Sequence, residues 1–232
     1  MNDHIVKAFD DDLNRLRGLV SEMGSRAAIA IEQAIRALGQ RDLEAAKHIV
    51  ADDKRIDDLE MEVEKLVVTT IALRAPMADD LRAMIAALKI AAVLERVGDY
   101  AKSIAKRVPI LAEARTIEAI PLLTSMSEIV CEMLRDVLSA YAARDATLAE
   151  EVTQRDKAVD DFYNAIFRAS ITYMMENPRS ISESAHLLFI AKNLERAGDH
   201  ATNVAEMVYY TATGQHMAER EKGVDITAPG KA

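Results

Sequence analysis

Apolar residues recur every three or four positions over long stretches of this chain, with few interruptions. Phe9, Leu13, Leu16, Val20, Met23, Ala27, Ala30 and Ala34 form the first such row, which is the stripe of an amphipathic helix. It predicts a helix over 4–38, stopped by Gly39. Asp42 can cap a second helix that runs to about Arg74. Its apolar positions form a heptad of Ile49, Ile56 and Val63 with Leu59, Leu66 and Leu73, and Pro76 breaks it. A third helix runs from Asp79 to Val108 and ends at Pro109. After a connector over 109–120 the series returns, with helices over 122–144, 145–176 and 180–213. The pattern predicts an all-α fold of two tandem three-helix bundles, six long antiparallel helices in all. The units are residues 1–112 and 113–215, and a polar tail over 216–232 is expected to be unstructured. A helix of about 30 residues spans roughly 45 Å, so the molecule is expected to be elongated.

The two units are copies of one another. Leu94-Glu95-Arg96-Val97-Gly98-Asp99-Tyr100-Ala101 returns 100 residues later as Leu194-Glu195-Arg196-Ala197-Gly198-Asp199-His200-Ala201. Ile90, Ala91 and Ala105 return as Ile190, Ala191 and Ala205. Upstream, Asp53, Lys54, Asp57 and Asp58 return as Asp156, Lys157, Asp160 and Asp161, and Arg41-Asp42 as Arg144-Asp145. Self-similarity at fixed spacing over this length marks an internal duplication.

Composition agrees and removes several function classes. Half the residues are hydrophobic, aromatics are 4%, tryptophan is absent, and there are eight glycines and five prolines. That suits long helices with aliphatic layers and not a β-rich fold. A net charge of −9 gives no electrostatic reason to seek nucleic acid or an anionic membrane. The single cysteine, Cys131, lies in a helical core pattern and allows neither a disulfide framework nor a thiolate metal cluster. The N-terminus lacks the basic start and apolar core of a secretory signal. The apolar run Met84–Leu94 is interrupted by Lys89 and too short to span a bilayer. A cytoplasmic protein with no membrane insertion is expected. No Gly-rich phosphate loop or nucleophile elbow is present, and nothing assembles a nucleophile, base and oxyanion donors.

The candidate chemistry lies in the carboxylates. On a helical wheel, Ile90, Leu94, Ala101, Ile104 and Val108 share one arc, and Glu95 and Asp99 fall opposite it. Ile190, Leu194, Ala197, Ala201, Val204 and Val208 repeat the seam, with Glu195 and Asp199 behind. Asp53 and Asp57 share a face of the preceding helix, as do Asp156 and Asp160. Four acidic i,i+4 pairs at matched positions repel and ask for a positive charge. Lys102 and Lys106 can neutralise the first set, which is the ordinary solvated-face reading. In the second copy these positions are Thr202 and Glu206, so a salt-bridge account fails there. A cation on hard oxygen ligands is the sharper reading and suits iron, Mg²⁺, Mn²⁺ or Ca²⁺. Gly98 and Gly198 leave room beside the carboxylates for a helix or a cluster. His200 and Asn203 are additional candidate ligands. Arg96 and Arg196 either orient the carboxylates or meet a partner. The alternative is a carboxylate-bridged metal enzyme or metal store. A ferritin-like oxidase needs Glu-x-x-His on two helices, and only Glu183 and His186 have that spacing.

Two three-helix units, each with Asp-x-x-x-Asp followed by Leu-Glu-Arg-x-Gly-Asp-x-Ala, resemble the PhoU family over about residues 4–215. The resemblance implies a cytoplasmic all-α regulator, not an enzyme, that restrains phosphate uptake and the phosphate-starvation response. It implies two partners, the ATPase subunit of a phosphate ABC transporter and a sensor histidine kinase, and homodimer formation. It also implies bound metal on Asp53, Asp57, Glu95 and Asp99 and on Asp156, Asp160, Glu195 and Asp199. Tyr100 against His200, and Lys106 against Glu206, put equal loading of the two halves in doubt.

Overall fold

The computed structural model describes residues 2–113 and 119–218, with side chains from residue 9 onward. Among these residues the regular structure is entirely helical. Helix α1 spans Asn2–Gln40, α2 Leu43–Asp52, α3 Lys54–Arg74, α4 Ala78–Ala105 and α5 Val108–Leu111. Beyond the connector come α6 Ile120–Ala143, α7 Ala146–Gln154, α8 Asp156–Glu176 and α9 Ile181–Thr213. The expected tail lies outside the described residues from 219 on.

The six expected helices are present, and four details differ. The second helix of each unit is broken, at Asp53 and at Arg155. Both residues keep right-handed helical angles, and the chain tightens there to three-residue hydrogen bonds, Ile56 N–H to Asp53 O at 2.8 Å and Ala158 N–H to Arg155 O at 3.0 Å. Such a 3₁₀-type step needs neither glycine nor proline. Pro109 does not end a helix but opens α5, because its missing N–H costs nothing in a first turn. Gly39 lies inside α1, and the stop falls two residues later. Leu73, placed on the heptad seam, is 77% exposed, while Val67 and Thr70 are buried. A straight helix drifts about 20° per heptad, which carries the third d position off the seam.

The stop of α1 is the same in both copies. Arg41 (φ 57°) and Arg144 (φ 54°) adopt the left-handed conformation. Asp42 N–H then bonds Ala37 O, and Asp145 N–H bonds Ala140 O, each at 2.9 Å, which closes a Schellman turn. The same aspartates cap the next helix. Asp42 accepts from the N–H groups of Glu44 and Ala45, and Asp145 from those of Thr147 and Leu148. Asp42→Ala and Asp145→Ala should each lower stability by about 1 kcal/mol. The double variant should lose about twice that, because the sites share no partners. Urea unfolding of the three variants checks this, and a cost near zero would show that the caps are idle.

Helices α1, α4, α6 and α9 form a central ring, in which α1 packs on α4 and α6, and α9 packs on the same two. Helix α3 lies outside against α1 and α4, and α8 lies outside against α6 and α9. The two units thus share one continuous apolar core, whose largest fully buried side chains include Leu16, Met23, Leu38, Leu94, Leu123 and Met133. No helix of the described residues is long and apolar enough to cross a membrane. Cys131 is buried in this core, its thiol 3.5 Å from Ala28 O, and burial pushes its pKa up to about 11. A two-unit rise leaves roughly 100-fold less thiolate at pH 8. Iodoacetamide should therefore label native protein at least that much more slowly than urea-unfolded protein, as mass spectrometry can read.

Candidate functional site

The two repeated motifs sit near the middle of α4 and α9, which run antiparallel against each other. Along this contact Arg82 stacks over Tyr210, Tyr100 Oη lies 2.9 Å from His200 Nε2, Asn203 Nδ2 lies 3.4 Å from His200 Nδ1, Asn193 Nδ2 donates to Ser103 Oγ, and Arg107 stacks over Phe189. Both ring nitrogens of His200 thus have partners within the bundle. Burial lowers its pKa from the ordinary histidine value.

The carboxylates do not face solvent opposite the core, as the wheel suggested. That side of α4 is covered by α3, and that side of α9 by α8. The motif glycines make this closeness possible. A β-carbon on Gly98 would lie 2.8 Å from Ile56 Cδ1, and one on Gly198 would lie 3.2 Å from Val159 Cγ1. The space beside each carboxylate pair is therefore filled by an aliphatic side chain of the outer helix. Three of the eight predicted carboxylates are buried as a result: Asp53, Asp156 and Glu195.

In the first unit, Asp53 receives a hydrogen bond from the Lys102 ammonium at 2.5 Å, and the same ammonium lies 3.6 Å from Asp99. Glu95 is pushed up to about 7, first by burial, then by the charges of Asp99 and Glu60 and by a hydrogen bond with Asp99. Asp57 is raised by burial and by Asp53, with Lys102 opposing. Glu60 is raised by burial and by Asp57, and it joins the face as a fifth carboxylate. It lies one turn after Asp57, a spacing that would have placed it there. Its counterpart, Tyr163, breaks the repeat and hides the signal.

The second unit solves its charge differently. Thr202 stands in for Lys102, with its hydroxyl 3.5 Å from Asp156 Oδ1 and 3.3 Å from Gly198 O. A lysine does appear, which corrects the inference that a salt bridge is excluded here. Lys192 donates to Glu195 at 2.8 Å and lies 5.0 Å above the Tyr163 ring. Its counterpart is Ala92, so comparison of the repeats alone does not reveal it. Arg96 and Arg196 are exposed.

Among the described residues no three His, Cys, Asp or Glu side chains are grouped as they would be around a metal ion. In the second unit Asp156 and Glu195 are buried on facing helices and offer hard oxygen donors, but the Lys192 ammonium already bonds Glu195. In the first unit an ammonium already stands between the carboxylates of α3 and α4, and the residues as placed do not fit a second cation. Away from both faces, a groove of about 770 Å³ opens between the first half of α4 and the last half of α9, lined by Leu81, Arg82, Ile85, Lys89, Met207 and Tyr210 among others.

Fold and faces together define a class, the duplicated helical bundle with one acidic face per repeat. The PhoU domain matches this chain twice, over residues 20–108 and 123–208. The chain belongs to the PhoU family of phosphate-transport accessory proteins, which are not enzymes, and this removes the metal-enzyme alternative. It is 55% identical over 225 residues to the phosphate-specific transport system accessory protein PhoU homolog of Zymomonas mobilis, covering 97% of this chain and 95% of that one. The homolog of the same name from Caulobacter vibrioides is 45% identical over 227 residues, covering 97% and 99%. Among solved structures, the phosphate transport system regulatory protein PhoU of Streptococcus pneumoniae superposes with a TM-score of 0.85 at 30% identity, covering 91% of this chain and 100% of that one. PhoU of Pseudomonas aeruginosa gives 0.77 at 33% identity, covering 93% and 100%.

Proposed function

We propose that this protein is a cytoplasmic accessory regulator of a phosphate-specific transport system, one that restrains phosphate uptake and the starvation response. The observation that carries the reading is the duplicated bundle with paired acidic faces, in a chain 55% identical over 225 residues to a relative named as an accessory protein of a phosphate-specific transport system. The partners proposed are the transporter's ATPase subunit and a sensor histidine kinase, with the regulator acting as a homodimer. In the second unit Asp156, Asp160, Glu195 and Asp199 would hold a metal ion such as iron, Mn²⁺, Mg²⁺ or Ca²⁺. Bound there, it would neutralise carboxylates that α8 and α9 bring together and stiffen that contact.

Deletion of the gene should derepress a phosphate-starvation reporter in phosphate-replete medium, and a pull-down from replete cells should recover the ATPase subunit or the kinase. Normal repression together with recovery of neither would overturn the regulatory reading. The metal is tested separately by elemental analysis of purified protein. A stoichiometric ion should raise the melting temperature, and chelation should lower it, because a ligand bound only by the folded state stabilises it. Metal-free protein with a melting temperature indifferent to chelator would overturn that part alone.

A further inference from the structure

The groove between the first half of α4 and the last half of α9 encloses about 770 Å³ and has an apolar floor. Leu81 and Ile85 are exposed on it, beside Val93 of α4 and Met207 of α9. The chain itself leads into it. We propose that residues 219–232 seat in this groove, with Val224, Ile226 and Ala228 against its floor. A partner segment that binds there then has to displace the protein's own tail. The inference stands apart from the regulatory and metal readings.

Three observations support it. The first is where the chain arrives. Gly214 takes the left-handed conformation (φ 75°) and ends α9, its N–H bonding Tyr210 O. The chain then doubles back, because the His216 ring stacks on Tyr210 with centroids 4.8 Å apart, beside the last turn of α9 and not beyond it. His216 is one of the residues lining the groove, and Met217 after it is half-buried. The second is length. Residues 219–226 reach about 26 Å when extended, and the α4 lining from Ala78 to Val93 runs about 23 Å at helical rise. The third is pattern. Val224, Ile226 and Ala228 alternate with Asp225 and Thr227, so an extended chain puts the apolar three on one face and the polar two on the other. Burial of that face removes apolar surface from water on both sides. The tether holds the segment at an effective concentration of about millimolar, so modest contact is enough to keep it seated.

The chain has no tryptophan and its cysteine is buried, so probes report without background. In the full chain carrying Ile226→Trp, indole emission should be blue-shifted, and Leu81→Asp added to it should return the emission to that of the urea-unfolded chain, with folding checked by circular dichroism. A second measurement does not depend on a bulky probe. Ile85→Cys with Ile226→Cys should be joined within one chain by a short bismaleimide about tenfold faster than Ile171→Cys with Ile226→Cys, whose first partner is exposed on α8, away from the groove. Removal of residues 219–232 should raise the fluorescence of added anilinonaphthalene sulfonate several-fold, as apolar surface is uncovered. The proposal is overturned if the indole emits as in unfolded chain, if the two cysteine pairs join at equal rates, or if the truncated chain binds the dye no better than wild type. Cross-linking between chains alone, with a yield that falls on dilution, would assign the groove to a second copy and overturn it too. So would an exposed indole together with loss of the transporter ATPase or the kinase from the pull-down on Ile85→Asp, which would assign the groove to a partner.

Discussion

Leu94→Ala should lower the unfolding free energy by about 3–4 kcal/mol, and Leu194→Ala should do the same. Both side chains are fully buried, one on each of the two helices that join the units. Four carbons' worth of contact shrink to one methyl in an interior that cannot collapse around the gap, so the loss combines transfer and cavity contributions. For a chain of this length that corresponds to a melting temperature lower by roughly 10 °C. Calorimetry should show each variant shifting one transition, because α1, α4, α6 and α9 share a continuous core. Loss below about 1 kcal/mol, or a transition that splits so that one half melts early, would contradict the shared core.

Lys102→Met, measured with chelator present, should cost about 3 kcal/mol, the low end of the range for stripping a partner from a buried charge. The low end applies because the lysine is partly exposed. Adding Asp53→Asn should recover most of that loss, since the uncompensated carboxylate and not the missing ammonium is what destabilises. The Asp53 hydrogen bond raises the ammonium above the usual lysine range, so this stabilisation is complete at neutral pH. On the alkaline side it fades as pH rises through that raised value. Exposed pairs such as Arg36–Glu32 and Lys47–Glu44 serve as controls, at about 0.5 kcal/mol or less. A Lys102→Met cost in that same range would show that Asp53 is solvated after all.

What the sequence made legible follows from distance along the chain. The core rows of α4 and α9 were readable because the period of a helix is local, and every seam residue named from Ile90 to Val108 and from Ile190 to Val208 is buried. The Arg-Asp repeat pointed to a joint, but the left-handed arginine was hidden because glycine is the usual sign of that conformation. Burial of Asp53 and Glu195 was not readable, since it depends on α3 and α8 folding back over a face that a wheel shows as outward. Glu60 and Lys192 were missed for a related reason. Their repeat counterparts are Tyr163 and Ala92, so a search for shared positions passes over the residues in which the halves differ.

The antiparallel contact of α4 and α9 has an ancestry written into it. In a pair of separate half-chains related by a two-fold axis, the residue nearest the axis would meet its own copy. Two tyrosines or two histidines would face each other there, and neither could be altered without altering both. Fusion into one polypeptide removes that constraint, so a phenol can lie against an imidazole, as Tyr100 does with His200. Positions 102 and 202 gained the same freedom. The link that made association unimolecular also let one ancestral surface become two that are selected separately.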